Sequence, residues 1–323
     1  MITDILDVDP DVEKKVLGNN AQIRVLGATE VSQLDGEIED ADMILAWQSL
    51  HWNRETLGKL RNAKGFVRVG AGFDNVDIGA ARDLGLKVSN VPDYGTHDVA
   101  DHSIALLLSI ARGISGSNRE ARGGEENWRW GQVPTFRITG KTLGIIGLGR
   151  IGAAVAMRAK ALGMKVAFYD PYIPSGWEKS LGLLRFHDLY ELAADSNVIS
   201  LHTPLTKETE RMINKKFFAA LTSEIILINT GRGAVVDWAA FSEAFDSGKI
   251  AGAGLDVLPV EPPDFNDLLL SAWKNGDESV RDRLVITPHA GYFSKEAFTE
   301  LRHKAAEEAL RMLTGQRLLN VLN

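Results

Sequence analysis

Three glycines and an acid mark the first chemistry this chain can do. In Gly147-Leu148-Gly149-Arg150-Ile151-Gly152 the glycines follow the apolar run 143–146, and Asp170 closes the next such run, 164–169. Gly147 permits a sharp turn out of a strand, Gly149 lets the backbone approach a pyrophosphate, and Gly152 lets a following helix pack close to the sheet. A helix entered through Arg150 and Ile151 offers unpaired N–H groups and its positive dipole end to phosphates. At Asp170 a carboxylate accepts hydrogen bonds from an adenosine ribose and repels a 2′-phosphate, which favours NAD over NADP. Further along, Arg232, Glu261 and His289 each sit on a loop after an apolar run.

Those residues need elements that bring them together. Apolar runs at 143–146, 164–169, 198–201, 225–229, 253–257 and 284–286 alternate with amphipathic stretches, the pattern of six parallel strands in a doubly wound dinucleotide domain. Earlier runs at 23–26, 43–46, 66–69 and 87–91 give the first part of the chain a parallel α/β sheet of its own. A buried helix is expected over 99–112, a loop holding Trp128, Trp130 and Pro134 over 123–140, and an amphipathic helix over 295–313 that stops before Gly315. The last helix is expected to return to the first domain, which makes that domain discontinuous. In open α/β sheets, chemistry sits at the carboxyl ends of the strands. Those ends carry Val69-Gly70-Ala71-Gly72, His202-Thr203-Pro204, Thr230-Gly231-Arg232, Asp256 and Thr287-Pro288-His289-Ala290-Gly291.

Composition removes several function classes. With 323 residues and 45% hydrophobic content the chain can build two cores. A net charge of −7 argues against nucleic acid as a general partner. The pattern of a signal peptide is absent, as is a long uncharged apolar run, so a cytoplasmic protein that does not span a membrane is expected. Zero cysteine excludes disulfides, thiolate metal sites and cysteine nucleophiles.

Three segments carry a family resemblance. Asn229-Thr230-Gly231-Arg232-Gly233, the stretch from Leu255-Asp256-Val257 to Glu261-Pro262, and Thr287-Pro288-His289-Ala290 resemble the signatures of the D-isomer-specific 2-hydroxyacid dehydrogenases. The run from Phe66 to Asp77, Phe168-Tyr169-Asp170-Pro171-Tyr172 and the closing Asn320-Val321-Leu322-Asn323 look like the branch that includes the C-terminal-binding proteins. That branch holds NAD-binding corepressors as well as bacterial dehydrogenases. The resemblance implies a Rossmann NAD domain, 99–292, inserted into a flavodoxin-like substrate domain, 1–98 and 293–323, working as a homodimer.

It also implies roles. His289 would be the acid/base, Glu261 its partner stabilising the imidazolium, and Arg232 the group that binds a substrate carboxylate and polarises its carbonyl. NAD would supply or receive a hydride. Asp256 would hydrogen-bond the nicotinamide carboxamide, with His202, Thr203, Pro204, Thr230, Gly231 and Gly291 lining the cofactor. Backbone N–H groups of Gly70, Ala71 and Gly72 would form a nest for a carboxylate, with Arg68, Val69 and Tyr292 beside the substrate. Arg68 has a competing position, pointing to solvent from an alternating strand. Side chains that distinguish one acid from another are expected around Trp47, Gln48, Tyr94 and Thr96.

Other features have plainer explanations. His97, Asp98, Asp101 and His102 include pairs at metal-ligand spacing, but the dipole of a helix N-terminus accounts for Asp98 and no metal is expected. The segment 263–284, with Trp273, is longer than in compact relatives and is expected to shape the pocket or an oligomer contact. An NAD-dependent reductase or dehydrogenase for a small D-2-hydroxy acid is the leading expectation, against a corepressor-like NAD-sensing scaffold. A dehydrogenase of a small inorganic or one-carbon anion is the third, and formate-type members carry glutamine where this chain has Glu261.

Overall fold

Apolar runs without alternation suit strands buried on both faces, and most such runs become parallel strands in the computed structural model, which describes residues 1–4 and 9–323. The chain divides into two units. Met1–Gly95 with Phe293–Asn323 forms one, and Thr96–Tyr292 forms the other.

Among the described residues the first unit holds five strands: β1 (Ile2–Asp4), β2 (Val25–Ala28), β3 (Met43–Ala46), β4 (Gly65–Arg68) and β5 (Val88–Asn90). They pair in parallel in the order β2-β1-β3-β4-β5, the flavodoxin-like arrangement. Four strands were expected from the sequence. β1 is the addition, and three residues are too few to show a pattern. β2 also begins two residues later than the run 23–26 suggests.

The helix Lys295–Leu313 does return to this unit, capped by Ser294, whose Oγ accepts from Ala297 N at 3.0 Å. Its Leu301, Ala305, Ala306, Ala309 and Met312 pack on Met43, Leu45, Val67 and Val69. A buried ion pair ties it to the helix Asp11–Leu17. Arg302 donates from Nε to Glu13 Oε1 at 2.9 Å and from Nη2 to Oε2 at 2.6 Å, with both side chains almost wholly buried.

The second unit holds seven strands: β6 (Thr142–Ile146), β7 (Lys165–Tyr169), β8 (Leu184–Phe186), β9 (Val198–Leu201), β10 (Ile225–Asn229), β11 (Ile250–Leu255) and β12 (Leu284–Ile286). Their order is β12-β11-β10-β9-β6-β7-β8, all parallel, with the turn of direction beside β6. This is the doubly wound dinucleotide arrangement with one extra strand at an edge. Six were expected, and the three-residue edge strand β8 makes the seventh. The helix Thr96–Ala111 starts three residues before the expected position, buries Leu106, Leu107 and Ile110, and packs on β10 and β11, where Leu106 and Ile110 meet Gly254 and Gly252. The longer segment 263–284 folds into the helix Leu268–Asn275, whose Leu269 and Leu270 join the core of the unit while Trp238 Nε1 donates to Asp267 at 2.9 Å.

Removing one member of a buried ion pair leaves the other charge uncompensated, at about 3–5 kcal/mol. In Glu13→Ala the Asp11 carboxylate, 3.0 Å from Arg302 Nη2, still offsets part of that charge, so the first unit is expected to lose up to about that amount, read from amide exchange in β3 and β4 by mass spectrometry.

Candidate active site

The carboxyl ends of β10, β11 and β12 are joined by a short ladder of main-chain bonds beyond the sheet itself. Asp256 N donates to Asn229 O at 2.9 Å, Thr287 N to Leu255 O at 3.0 Å, and His289 N to Asp256 O at 2.8 Å. Three loops leave from this ladder, and they carry Arg232, Glu261 and His289.

The Arg232 loop is folded by Asn229, whose buried side-chain amide accepts from Gly231 N at 3.0 Å and donates to Arg232 O at 3.0 Å. Arg232 Nη1 donates to Gly231 O at 2.9 Å. Thr230 faces the other way, its hydroxyl 2.7 Å from Ser103 on the helix Thr96–Ala111. Gly233 brings this loop against the next one. A Cβ there would lie 1.9 Å from the carbonyl carbon of Leu258 and 2.4 Å from Pro259 N, so only glycine permits the approach. Within that second loop Glu261 Oε1 accepts from Leu258 N at 2.8 Å, and Oε2 meets His289 Nδ1 at 2.7 Å.

An ionised carboxylate only accepts, so the proton of this last bond sits on His289 Nδ1, and Nε2 is left for other partners. His289 occupies the left-handed region, φ 51°, unusual for a side-chain-bearing residue. Asp256 holds the turn that follows. Its Oδ1 accepts from Ala290 N at 2.9 Å and from the Thr287 hydroxyl at 2.6 Å, and its Oδ2 accepts from Gly291 N at 2.9 Å. Burial pushes this carboxyl up, but hydrogen bonds from His102, Thr287, Gly291 and Ala290 outweigh it and hold Asp256 below the usual carboxylate range.

The glycine-rich loop and Asp170 line a cavity of about 540 Å³ together with Tyr172, His202, Thr203 and Pro204. Gly147 has φ +90°, and a Cβ at Gly152 would lie 2.2 Å from Gly147 O, so these two glycines serve the turn and the close helix. Gly149 is different. No described atom lies within 4 Å of a Cβ built on it, so the space it leaves open is on the cavity side. It also begins the helix Arg150–Ala161, whose N-terminus has no side-chain cap. Asp170 accepts from Leu148 N and Tyr172 N, both at 2.9 Å.

His202 and Thr203 add two polar atoms without partners among the described residues, His202 Nδ1 and Thr203 Oγ1, both buried. His202 Nε2 is 2.8 Å from Ser200 Oγ, and burial pushes the imidazole down to about 3, so it is neutral. A bound dinucleotide would give those two atoms partners and an anion for the open helix end; the residues present fit one.

The metal-spaced residues point elsewhere. Arg158 donates to Asp101 at 2.6 Å and lies 3.4 Å from His97 Nδ1, while His102 turns to Thr287. In the first unit, Arg68 does not point to solvent. It is buried, donates to Val69 O at 3.0 Å, and fills the space where a Cβ on Gly70 would stand. Gly70 has φ +147°, and the loop is held by Asn90 Nδ2 donating to Ala71 O at 2.7 Å. Tyr292 is the last residue of the second unit. Spacing gave no reason to choose Ser103 or Ser200 and pointed to the wrong partners for His102, because each acts on a partner brought near only by the fold.

Residues 104–291 match the model of the family described as "D-isomer specific 2-hydroxyacid dehydrogenase, NAD binding domain". This chain belongs to the D-isomer-specific 2-hydroxyacid dehydrogenases. Its cofactor is NAD. It is 35% identical over 321 residues to a D-3-phosphoglycerate dehydrogenase of Methanocaldococcus jannaschii, which covers 99% of the chain but only 59% of that longer relative. Among solved structures, a Thermus thermophilus protein superposes with a TM-score of 0.86 at 31% identity, covering 100% of this chain and 99% of that one. A D-lactate dehydrogenase of Aquifex aeolicus, complexed with NAD and lactic acid, gives 0.84 at 29% identity, covering 97% and 95%.

Forcing a methyl group into the contact between the Arg232 and Glu261 loops must move backbone, a change that costs about 1–3 kcal/mol. Gly233→Ala is expected to destabilise the second unit by about that much, measured as earlier amide exchange in β10 and β11 than in the unaltered protein.

Proposed function

We propose that this protein is an NAD-dependent oxidoreductase that interconverts a small D-2-hydroxy acid and its 2-keto acid. The observation that carries the reading is the 2.7 Å pairing of His289 with Glu261, presented from the same run of strand ends as Arg232. The first unit would be the substrate domain, and the second the NAD domain.

When bound, NADH supplies a hydride to carbon 2 of the keto acid, a task no side chain can perform. In the reducing direction His289 begins as imidazolium, with Nδ1–H held by Glu261 and Nε2–H directed to the ketone oxygen. That oxygen takes the Nε2 proton as the carbonyl becomes an alcohol, and neutral His289 keeps its Nδ1 proton on Glu261. Oxidation runs the same transfer backwards, Nε2 accepting the hydroxyl proton. Arg232 would receive the substrate carboxylate on its planar fork and polarise the carbonyl beside it. Asp170 at the ribose end favours NAD because an anion there opposes a 2′-phosphate.

The names of the relatives share one chemistry. Phosphoglycerate, lactate and, for a fungal homologue at 26% identity, glyoxylate are all 2-hydroxy or 2-keto acids or their phosphorylated forms. In the first unit, the N–H groups of Gly70, Ala71 and Gly72, beside Arg68, would offer a nest for a carboxylate. A corepressor-like scaffold would bind NAD without turning it over.

Purified protein with NADH and a panel of 2-keto acids, with and without a phosphate group, is expected to oxidise the cofactor with at least one member; inactivity across the panel contradicts the proposal. His289→Ala is expected to cut turnover by about 10²- to 10⁴-fold, the usual worth of a positioned acid/base. NADH affinity, followed by cofactor fluorescence, should stay close to that of the parent protein.

A further inference from the structure

His102 has no place in the proton transfer above, yet its ring reaches the loop that carries His289. It stands on the helix Thr96–Ala111, with Nε2 2.9 Å from Thr287 Oγ1 and 3.4 Å from Asp256 Oδ1. Asp256 is ionised and can only accept, so the Thr287 hydroxyl commits its one proton to the 2.6 Å bond with Oδ1. The Thr287 oxygen is then an acceptor toward His102, and Nε2 of His102 must carry a proton. Donation runs from His102 to Thr287 to Asp256.

Beyond Asp256 the chain of bonds continues into the backbone that follows His289, through Ala290 N and Gly291 N at 2.9 Å each. The ring itself also touches this turn. A Cβ on Gly291 would lie 3.1 Å from His102 Cδ2 and 2.8 Å from Asp256 Oδ2, so the loop is packed as well as bonded. Asp256 is almost wholly buried, where hydrogen bonds to a charge are strong and their loss is felt.

We propose that His102 is a positioning residue for His289: acting through Thr287 and Asp256, its Nε2–H orients the 289–291 turn and with it the imidazole. The proposal rests on the acid/base reading of His289. His102 touches none of the reacting atoms in it.

Three variants test the assignment. His102→Phe keeps a ring against Gly291 and removes the donor, His102→Gln restores an N–H near the position of Nε2, and Thr287→Val interrupts the chain without altering the helix. Two readouts are followed: kcat for NADH-dependent reduction of a 2-keto acid, and the downfield proton resonance of His289 Nδ1–H held by Glu261, assigned by its loss in His289→Gln. Misplacing a catalytic group by about 1 Å costs on the order of 10²-fold, so His102→Phe is expected to lower kcat by about 10- to 100-fold. It should also broaden the resonance by exchange. Thr287→Val is expected to reproduce both effects, the Phe and Val changes together being no worse than either alone, since one chain of bonds is broken in each. His102→Gln is expected to restore most of the rate and the resonance.

A His102→Gln protein as impaired as His102→Phe overturns the proposal, because packing alone would then explain the residue. So does a His102→Phe protein with parental kcat and resonance. If the unaltered protein reduces no 2-keto acid, the functional reading fails by itself, and the resonance still decides: its persistence in His102→Phe overturns the positioning role, and its loss there with recovery in His102→Gln supports it.

Discussion

A single buried carboxylate organises the chemistry-bearing end of the second unit. Asp256 takes two backbone N–H groups and a hydroxyl from the loop after β12, while its own backbone bridges β10 and that loop. Without these acceptors, the part-buried Ala290 N and the buried Gly291 N would lack partners, at about 1–3 kcal/mol for the buried one. Their satisfaction stabilises a turn in which His289 adopts a left-handed backbone that it would otherwise avoid. The imidazole is therefore aimed by backbone geometry and then fixed in tautomer by Glu261.

The sheet makes this possible through its register. Asn229 pairs with Leu255, and Leu255 with Ile286, so three parallel strands finish level with one another and release their loops on the same side. Parallel strands always place equivalent ends together, which is why such ends collect functional groups contributed by distant parts of a chain. Gly233 then draws two of the loops into contact that no larger residue would allow. The cavity lined by the glycine-rich loop and Asp170 lies at the ends of β6, β7 and β9 in the same sheet, so one framework positions both that lining and the loops of Arg232, Glu261 and His289.

Much of this was legible in the residues because it follows local rules. The glycine spacing, Asp170 and the apolar runs of β3, β9, β10 and β12 announce themselves over a few positions. Other features depend on contacts that no local pattern encodes. β1 and β8 span three residues each, too short for any periodicity to register. Arg68 sits on a strand whose four residues are all buried, so alternation between a wet and a dry face, the basis for placing it in solvent, does not apply. His102 meets partners 154 and 185 positions away in the chain, and a metal-like spacing to Asp98 drew attention to the wrong neighbour. The helix Leu268–Asn275 has a two-turn apolar face that only its packing on the core of the unit makes visible.

The claim that Asp256 holds the turn presenting His289 is open to a direct measurement, backbone amide exchange at Ala290 and Gly291 in the parent protein and in Asp256→Asn. Asparagine keeps the shape of the side chain but replaces one accepting oxygen with a donor. Loss of a hydrogen bond to a buried charge is expected to speed exchange at these two amides by about 10- to 100-fold, with Leu227 and Ile228 in β10 unchanged. Equal exchange in the two proteins would contradict the account.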